Sequence, residues 1–250
     1  MRIVTNQRLA KRNRQIAFWL MIGTLGVLVG SFLLMMQNPI EGNPEISALV
    51  LLFQVLVLPV AFVLTLVSVR MTNLWARPPR PEDAIEEGLK GLSNKSVLYN
   101  YYHFPARHVL ICPQGVFAIV TRWHNGSYTV QGERWKTNQG IFSRLGSLIR
   151  ADGIGSPSLD AQRAAAKVEK QLADIAPNVD VTPLIVFIDS EAEVTIEESP
   201  IDIVFADPKA KPSLKSYLRD INRDNAASGK KQSSMPLTDE QIEAFEEATT

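Results

Sequence analysis

Three histidines, one cysteine and a scatter of acids and arginines carry whatever chemistry this chain of 250 residues can do. His103, His108 and His124 raise the question of a zinc site. None of them stands at ligand spacing from a carboxylate or a second cysteine, so they read as three separate side chains. Cys112 lies in an apolar run, where a lone thiol behaves as a small hydrophobe and no disulfide can form within the chain, which suits a reducing compartment. Glu82 and Glu133 are the acids placed near enough to a predicted sheet to donate to a metal, although Glu82 also has the position of a helix-opening acid. Between positions 134 and 170 the basic residues, Arg134 and Lys136 among them, exceed the acidic ones by four. From 70 to 224 the two signs balance at 19 each, so the excess is local and reads as a solvated face before it reads as a nucleic-acid surface.

The elements that would position these groups centre on positions 107–123, RHVLICPQGVFAIVTRW. Two runs rich in β-branched and aromatic residues flank Pro113, Gln114 and Gly115, a fixed φ followed by a free one, which predicts a β-hairpin. A second turn at His124, Asn125 and Gly126 predicts that positions 127–130 fold back on the second strand as a meander. Ahead of the hairpin, Ile85, Leu89 and Leu92 mark one face of a helix over 82–92, and 96–104 reads as a strand with Tyr99, Tyr101 and His103 on one side. Positions 141–149 have the spacing of a short amphipathic helix that could rest on a membrane. A longer helix follows over 158–175 with Leu159, Ala166, Val168 and Leu172 inward, then buried strands at 183–188 and 201–205 with a short exposed acidic strand between them, and a helix over 211–221.

The hairpin resembles the core of the nuclease-related (NERD) domain of the restriction-endonuclease-like superfamily. That pattern runs Asp-His, an apolar strand, Gly-Pro-x-Gly-Val-Phe, an apolar pair and Glu-x-Lys; His108, Pro113, Gly115, Val116, Phe117 and Ile119 fall in step with it. Arg107 stands where the family has its metal-binding Asp, Val120 where it has the Glu, and Arg122 where it has the Lys. The resemblance therefore implies an α/β fold, a mixed sheet flanked by helices, over 82–221, with its former site degenerate at Arg107, Val120 and Arg122. In such nucleases two carboxylates hold the divalent ion that activates water, and a cation and an alkyl group cannot replace them. Catalytic residues, metal and cofactor are accordingly expected to be none, and Arg107, Arg122, Arg134 and Lys136 are the candidates for holding a phosphate without cleaving it. Gln162 sits one place out of step with the family's Pro-Leu-x-Gln-Ala segment.

The apolar residues are concentrated upstream of this domain. Positions 16–36 and 46–69 carry no charge over 21 and 24 residues, enough for two transmembrane helices, and the end of the first offers no signal-peptide cleavage site. Arg2, Arg8, Lys11, Arg12 and Arg14 precede the first and Arg70, Arg77 and Arg80 follow the second, while only Glu41 and Glu45 lie between. The positive-inside rule then puts both termini in the cytoplasm at the cell membrane. No ionisable group falls within either span, so no pore is expected. Gly26 and Gly30 allow close helix approach, serving either the packing of one span on the other, the favoured use, or a homodimer contact.

The expected organisation is a basic cytoplasmic N-terminus (1–15), a two-helix hairpin (16–69), a Pro/Arg linker (70–81), the nuclease-like domain (82–221) and a flexible tail (222–250). In that tail Thr238 and Gln241 make a capping box, and Ile242 and Phe245 form a small apolar edge that could meet a protein partner. The function expected is a membrane-anchored, catalytically inactive module that binds nucleic acid or protein. A residual metal-dependent nuclease and a purely structural membrane protein are the alternatives.

Overall fold

The computed structural model describes residues 1–36, 44–137, 153–227 and 235–248, and at 34, 35, 44–50 and 54 the backbone alone; the expected helix at 141–149 lies outside them. The chain divides into two compact units, one holding residues 8–78 and 141–153, the other 1–7, 79–140 and 154–250.

The first unit contains helices α1 (Gln7–Met36) and α2 (Pro44–Trp75). Both are long and apolar enough to cross a membrane, with mean hydropathies of 2.1 and 2.5 over Gln7–Leu33 and Leu51–Trp75. They turn large apolar side chains outward, among them Trp19 and Leu51, which a lipid environment would cover. Their few hydroxyls bond back to their own helix: Ser31 Oγ donates to the Val27 carbonyl at 2.5 Å and Thr65 Oγ1 to that of Ala61 at 2.7 Å. A Cβ added at Gly26 or Gly30 would meet nothing within 4 Å, so the expected close packing of α2 on this face is not found among the described residues.

In the second unit the expected mixed α/β architecture is present. Its elements are strand β1 (Arg2–Thr5), helix α3 (Pro81–Gly88), strands β2 (Val97–His103), β3 (Ala106–Cys112), β4 (Gly115–Arg122), β5 (Gly126–Gln131) and β6 (Arg134–Thr137), helix α4 (Pro157–Leu172), strands β7 (Val181–Phe187), β8 (Ala192–Glu198) and β9 (Asp202–Phe205), and helices α5 (Leu214–Ala227) and α6 (Asp239–Glu247). A six-stranded sheet runs β1-β2-β3-β4-β7-β9 and a three-stranded sheet runs β6-β5-β8. The predicted hairpin is β3–β4, antiparallel from His108 against Ile119 to Cys112 against Gly115, with Gly115 supplying the positive φ of 144° that the turn needs. One face of the large sheet packs Val109, Ile111, Val116 and Ala118 under α4 and α6, and the other packs Leu110, Phe117 and Ile119 under α3 and α5.

Several expectations need correction. The third strand does not fold back on β4, because that edge of β4 is taken by parallel β7; β5 joins the smaller sheet instead, between β6 and β8. Tyr101 leaves the face it was expected to share with Tyr99 and His103. Its φ of 68° breaks the alternation at a register shift in β2, and its hydroxyl turns to Glu82 of α3. In α4 the inward stripe is Ala161, Ala164, Ala165, Val168 and Leu172, while Leu159 and Ala166 are exposed; small residues let this helix lie close on the sheet. Residues 222–227 continue helix α5 and so do not begin a linker.

The two outer segments also change status. The basic N-terminal segment begins as β1, an edge strand parallel to β2. Helix α6 has the predicted capping box, but its apolar edge is not free: Phe245 is fully buried, stacked on His103 at 4.3 Å and edge-on to Tyr99 at 5.8 Å, and Ile242 and Leu237 are buried beside it. The surface offered for a protein partner is thus spent on the domain's own sheet.

Candidate functional site

The β3–β4 register decides where Arg107, Val120 and Arg122 lie. His108 opposes Ile119, so one step further the antiparallel pairing sets Arg107 against Val120, with Arg122 two residues on along β4. Strand alternation puts all three on the α4 side with Val109, Ala118 and Val116. Val120 is half-buried against both the core beneath α4 and the core between the sheets. Arg107, Val120 and Arg122, where the chain departs from the pattern, thus share one face of the sheet.

The charge of Arg122 is balanced from within the domain. Arg122, its side chain 12% exposed, donates from Nη2 to Asp160 Oδ2 at 2.5 Å and from Nη1 to the Thr121 carbonyl at 3.0 Å, while its Nε is buried with no hydrogen-bond partner. Burial pushes the guanidinium pKa down and Asp160 opposes the shift, so the group keeps its charge through its partner. Asp160 stands in the first turn of α4, where the helix dipole also favours a carboxylate. Nothing in the spacing of positions 122 and 160 announces this pair; the packing of α4 over β4 creates it.

The two acids that could have restored a site are engaged apart from each other. Glu133 accepts from Gln162 Nε2 of α4 at 2.9 Å. Glu82, in α3, is buried and accepts from the Tyr101 hydroxyl at 2.5 Å. Since α3 and α4 cover opposite faces of the large sheet, these carboxylates do not converge. Among the described residues no three His, Cys, Asp or Glu side chains gather so as to hold a metal ion.

Arg134 and Lys136 lie on β6 in the other sheet, both exposed, either side of Trp135, whose Nε1 donates to Ser158 Oγ at 2.9 Å. They stand in a different sheet from Arg107 and Arg122. The histidines serve packing. His103 Nδ1 meets Gln171 Oε1 at 3.2 Å, and burial pushes its pKa down to about 4. His108 Nδ1 meets Asn100 Oδ1 at 2.8 Å, Asn100 Nδ2 donates to Thr5 Oγ1 at 3.0 Å, and full burial pushes His108 down to about 3. His124 stacks on Trp123 at 4.3 Å.

Compared with known proteins, residues 80–188 match the family model of the nuclease-related domain. No curated protein and no solved structure matches the chain.

Proposed function

With residues 80–188 a nuclease-related domain, we propose that this chain is a membrane-anchored member of that family whose domain binds and does not cut. The observation that carries the reading is the ion pair of Arg122 with Asp160, which fills the family's catalytic patch with a cation and its own counter-ion. A metal there would meet a guanidinium in place of the ligands it needs, and its attraction to Asp160 would compete with a pair already formed. The separate engagement of Glu82 and Glu133 supports the same conclusion.

Anchoring rests on α1 and α2 as a hairpin of two spans. Their basic outer flanks favour both termini on the cytoplasmic side, and the pairing of β1 with β2 is in keeping with that, since it needs residues 2–5 and the domain on one side of the bilayer. For a partner, the exposed Arg134 and Lys136 on β6 favour a nucleic-acid backbone held weakly and without sequence preference, because Arg122 is committed to Asp160 and α6 has spent its apolar edge.

The test uses the intact protein in nanodiscs with single- and double-stranded DNA and RNA, with Mg²⁺ or Mn²⁺ present. Retention that falls steeply with salt, without cleavage, is expected, and Arg134→Gln with Lys136→Gln should weaken it more than Lys211→Gln with Lys215→Gln. Cleavage abolished both by chelator and by Glu133→Ala would overturn the inactive reading. Absence of retention at low salt would favour a protein-binding module.

A further inference from the structure

The family match begins at residue 80, yet the sheet of this domain begins at residue 2. Strand β1 pairs in parallel with β2 through Arg2 with Val97, Ile3 with Leu98, Val4 with Tyr99 and Thr5 with Asn100. Its backbone donates from Arg2 to the Ser96 carbonyl at 2.8 Å and from Asn6 to that of Asn100 at 3.1 Å. Side chains repeat the pairing: Thr5 Oγ1 accepts from the buried Asn100, Val4 packs on the core under α4, and Arg2 reaches Glu246 of α6 at 2.5 Å, the carboxylate that also accepts from Tyr99 at 2.6 Å. Backbone, core and polar contacts all treat residues 2–6 as part of the domain.

We infer that the β2 edge of the domain is a strand-accepting site whose occupant is residues 2–6 of the same chain, so that the two apolar helices are inserted within the domain and are not an anchor placed ahead of it. Without β1, the edge of β2 would present unpaired N–H and C=O groups to any strand that passed, and Asn100 would lose its Thr5 partner inside the fold. Delivery in cis follows from length. Helices of 30 and 32 residues rise by about 45 and 48 Å at the usual 1.5 Å per residue, so a hairpin of the two returns the chain to the level it left. The strand assignment stands on the sheet alone. Its consequence for topology, an even number of crossings between Thr5 and Val97, rests on the membrane reading above.

Arg2 and Asn6 both donate to β2, so alternation turns the Val4 N–H toward β2 and the Ile3 N–H away. In the full chain, Val4→Pro should therefore raise hydrogen exchange of the β2 amides by about tenfold or more, the effect of roughly one lost hydrogen bond, while Ile3→Pro leaves them protected. Equal exchange in the two variants would overturn the inference. A second measurement needs no loss of structure: Arg2→Cys with Val97→Cys, oxidised in detergent, should give a monomer whose peptides are joined. A covalent dimer would mean that a second copy supplies the strand, and absence of any crosslink would mean that β1 is not in the sheet; either result overturns the assignment. A cysteine at Asn43 labelled from the same side as the domain would remove the two-span reading and leave the strand assignment intact.

Discussion

Arg122 and Asp160 form an ion pair that is dry at one end and wet at the other, with side-chain exposures of 12% and 49%. Removing the wet end strands a buried cation; removing the dry end frees a solvated carboxylate. Asp160→Ala should therefore cost about 1–3 kcal/mol of domain stability, whereas Arg122→Met, which fills the same volume with apolar atoms, should cost less or stabilise. Denaturant midpoints of the intact protein in detergent compare the two. An Arg122→Met variant that is the weaker of the pair would contradict the geometry.

Phe245 is fully buried between His103 and Tyr99 and holds α6 on the sheet. Phe245→Ala should cost about 3–5 kcal/mol if the cavity stays open, less as α6 lifts away. Limited proteolysis should then cut within α6 while the rest of the domain resists. Unchanged resistance would mean that α6 does not depend on this contact.

Gly88 closes α3 against the chain after β9. A Cβ there would sit 2.6 Å from the carbonyl oxygen of Ala206, which is backbone and cannot swing aside. Gly88→Ala, ordinarily a mild change at a helix end, should lower stability by about 1–3 kcal/mol through overpacking. A melting temperature at or above that of the parent would show that α3 can shift freely.

His103 and His108 are buried with folded pKa values of about 4 and about 3, below their ordinary 6.5. Burial is the main cause for both; Lys167 adds to the first and Arg107 to the second. Because the unfolded chain takes up protons first, stability is complete above about pH 6.5 and falls as acid is added, by up to about 1.4 kcal/mol per pH unit for each histidine, down through the folded values. His103→Gln should roughly halve the slope between about pH 6 and pH 4, as read from urea midpoints across that range. A slope unaltered by the substitution would assign the acid sensitivity elsewhere.

Much of this domain was legible from local pattern. The β3–β4 hairpin, the strand buried on both faces at β7 and the capping box at Thr238 each follow from residues close in sequence, and each stands in the structure. What escaped was decided at a distance. The β4 edge had two candidate partners, and parallel β7, 65 residues on in the pairing of Ile119 with Leu184, displaced the neighbouring β5 through a connection that no turn signal describes. Arg2–Thr5 is too short and too polar to declare itself a strand, and it pairs only because β2 has an open edge beside it. Resemblance singled out Arg107, Val120 and Arg122, which share a face of the sheet, but Asp160, which gives Arg122 its partner, has no mark in the sequence beyond its place in a helical first turn.

Cys112 gives this chain a gauge of its own integrity. The thiol is the sole cysteine, wholly buried in β3 with its Sγ 3.6 Å from the Gly115 carbonyl, and burial pushes its pKa up to about 12. A thiolate reagent cannot reach it, nor find it ionised, while the hairpin is closed. The rate at which a small maleimide modifies Cys112 in the unaltered protein therefore reads the fraction of time the central hairpin spends open, in a bilayer as readily as in detergent, and without engineering a reporter.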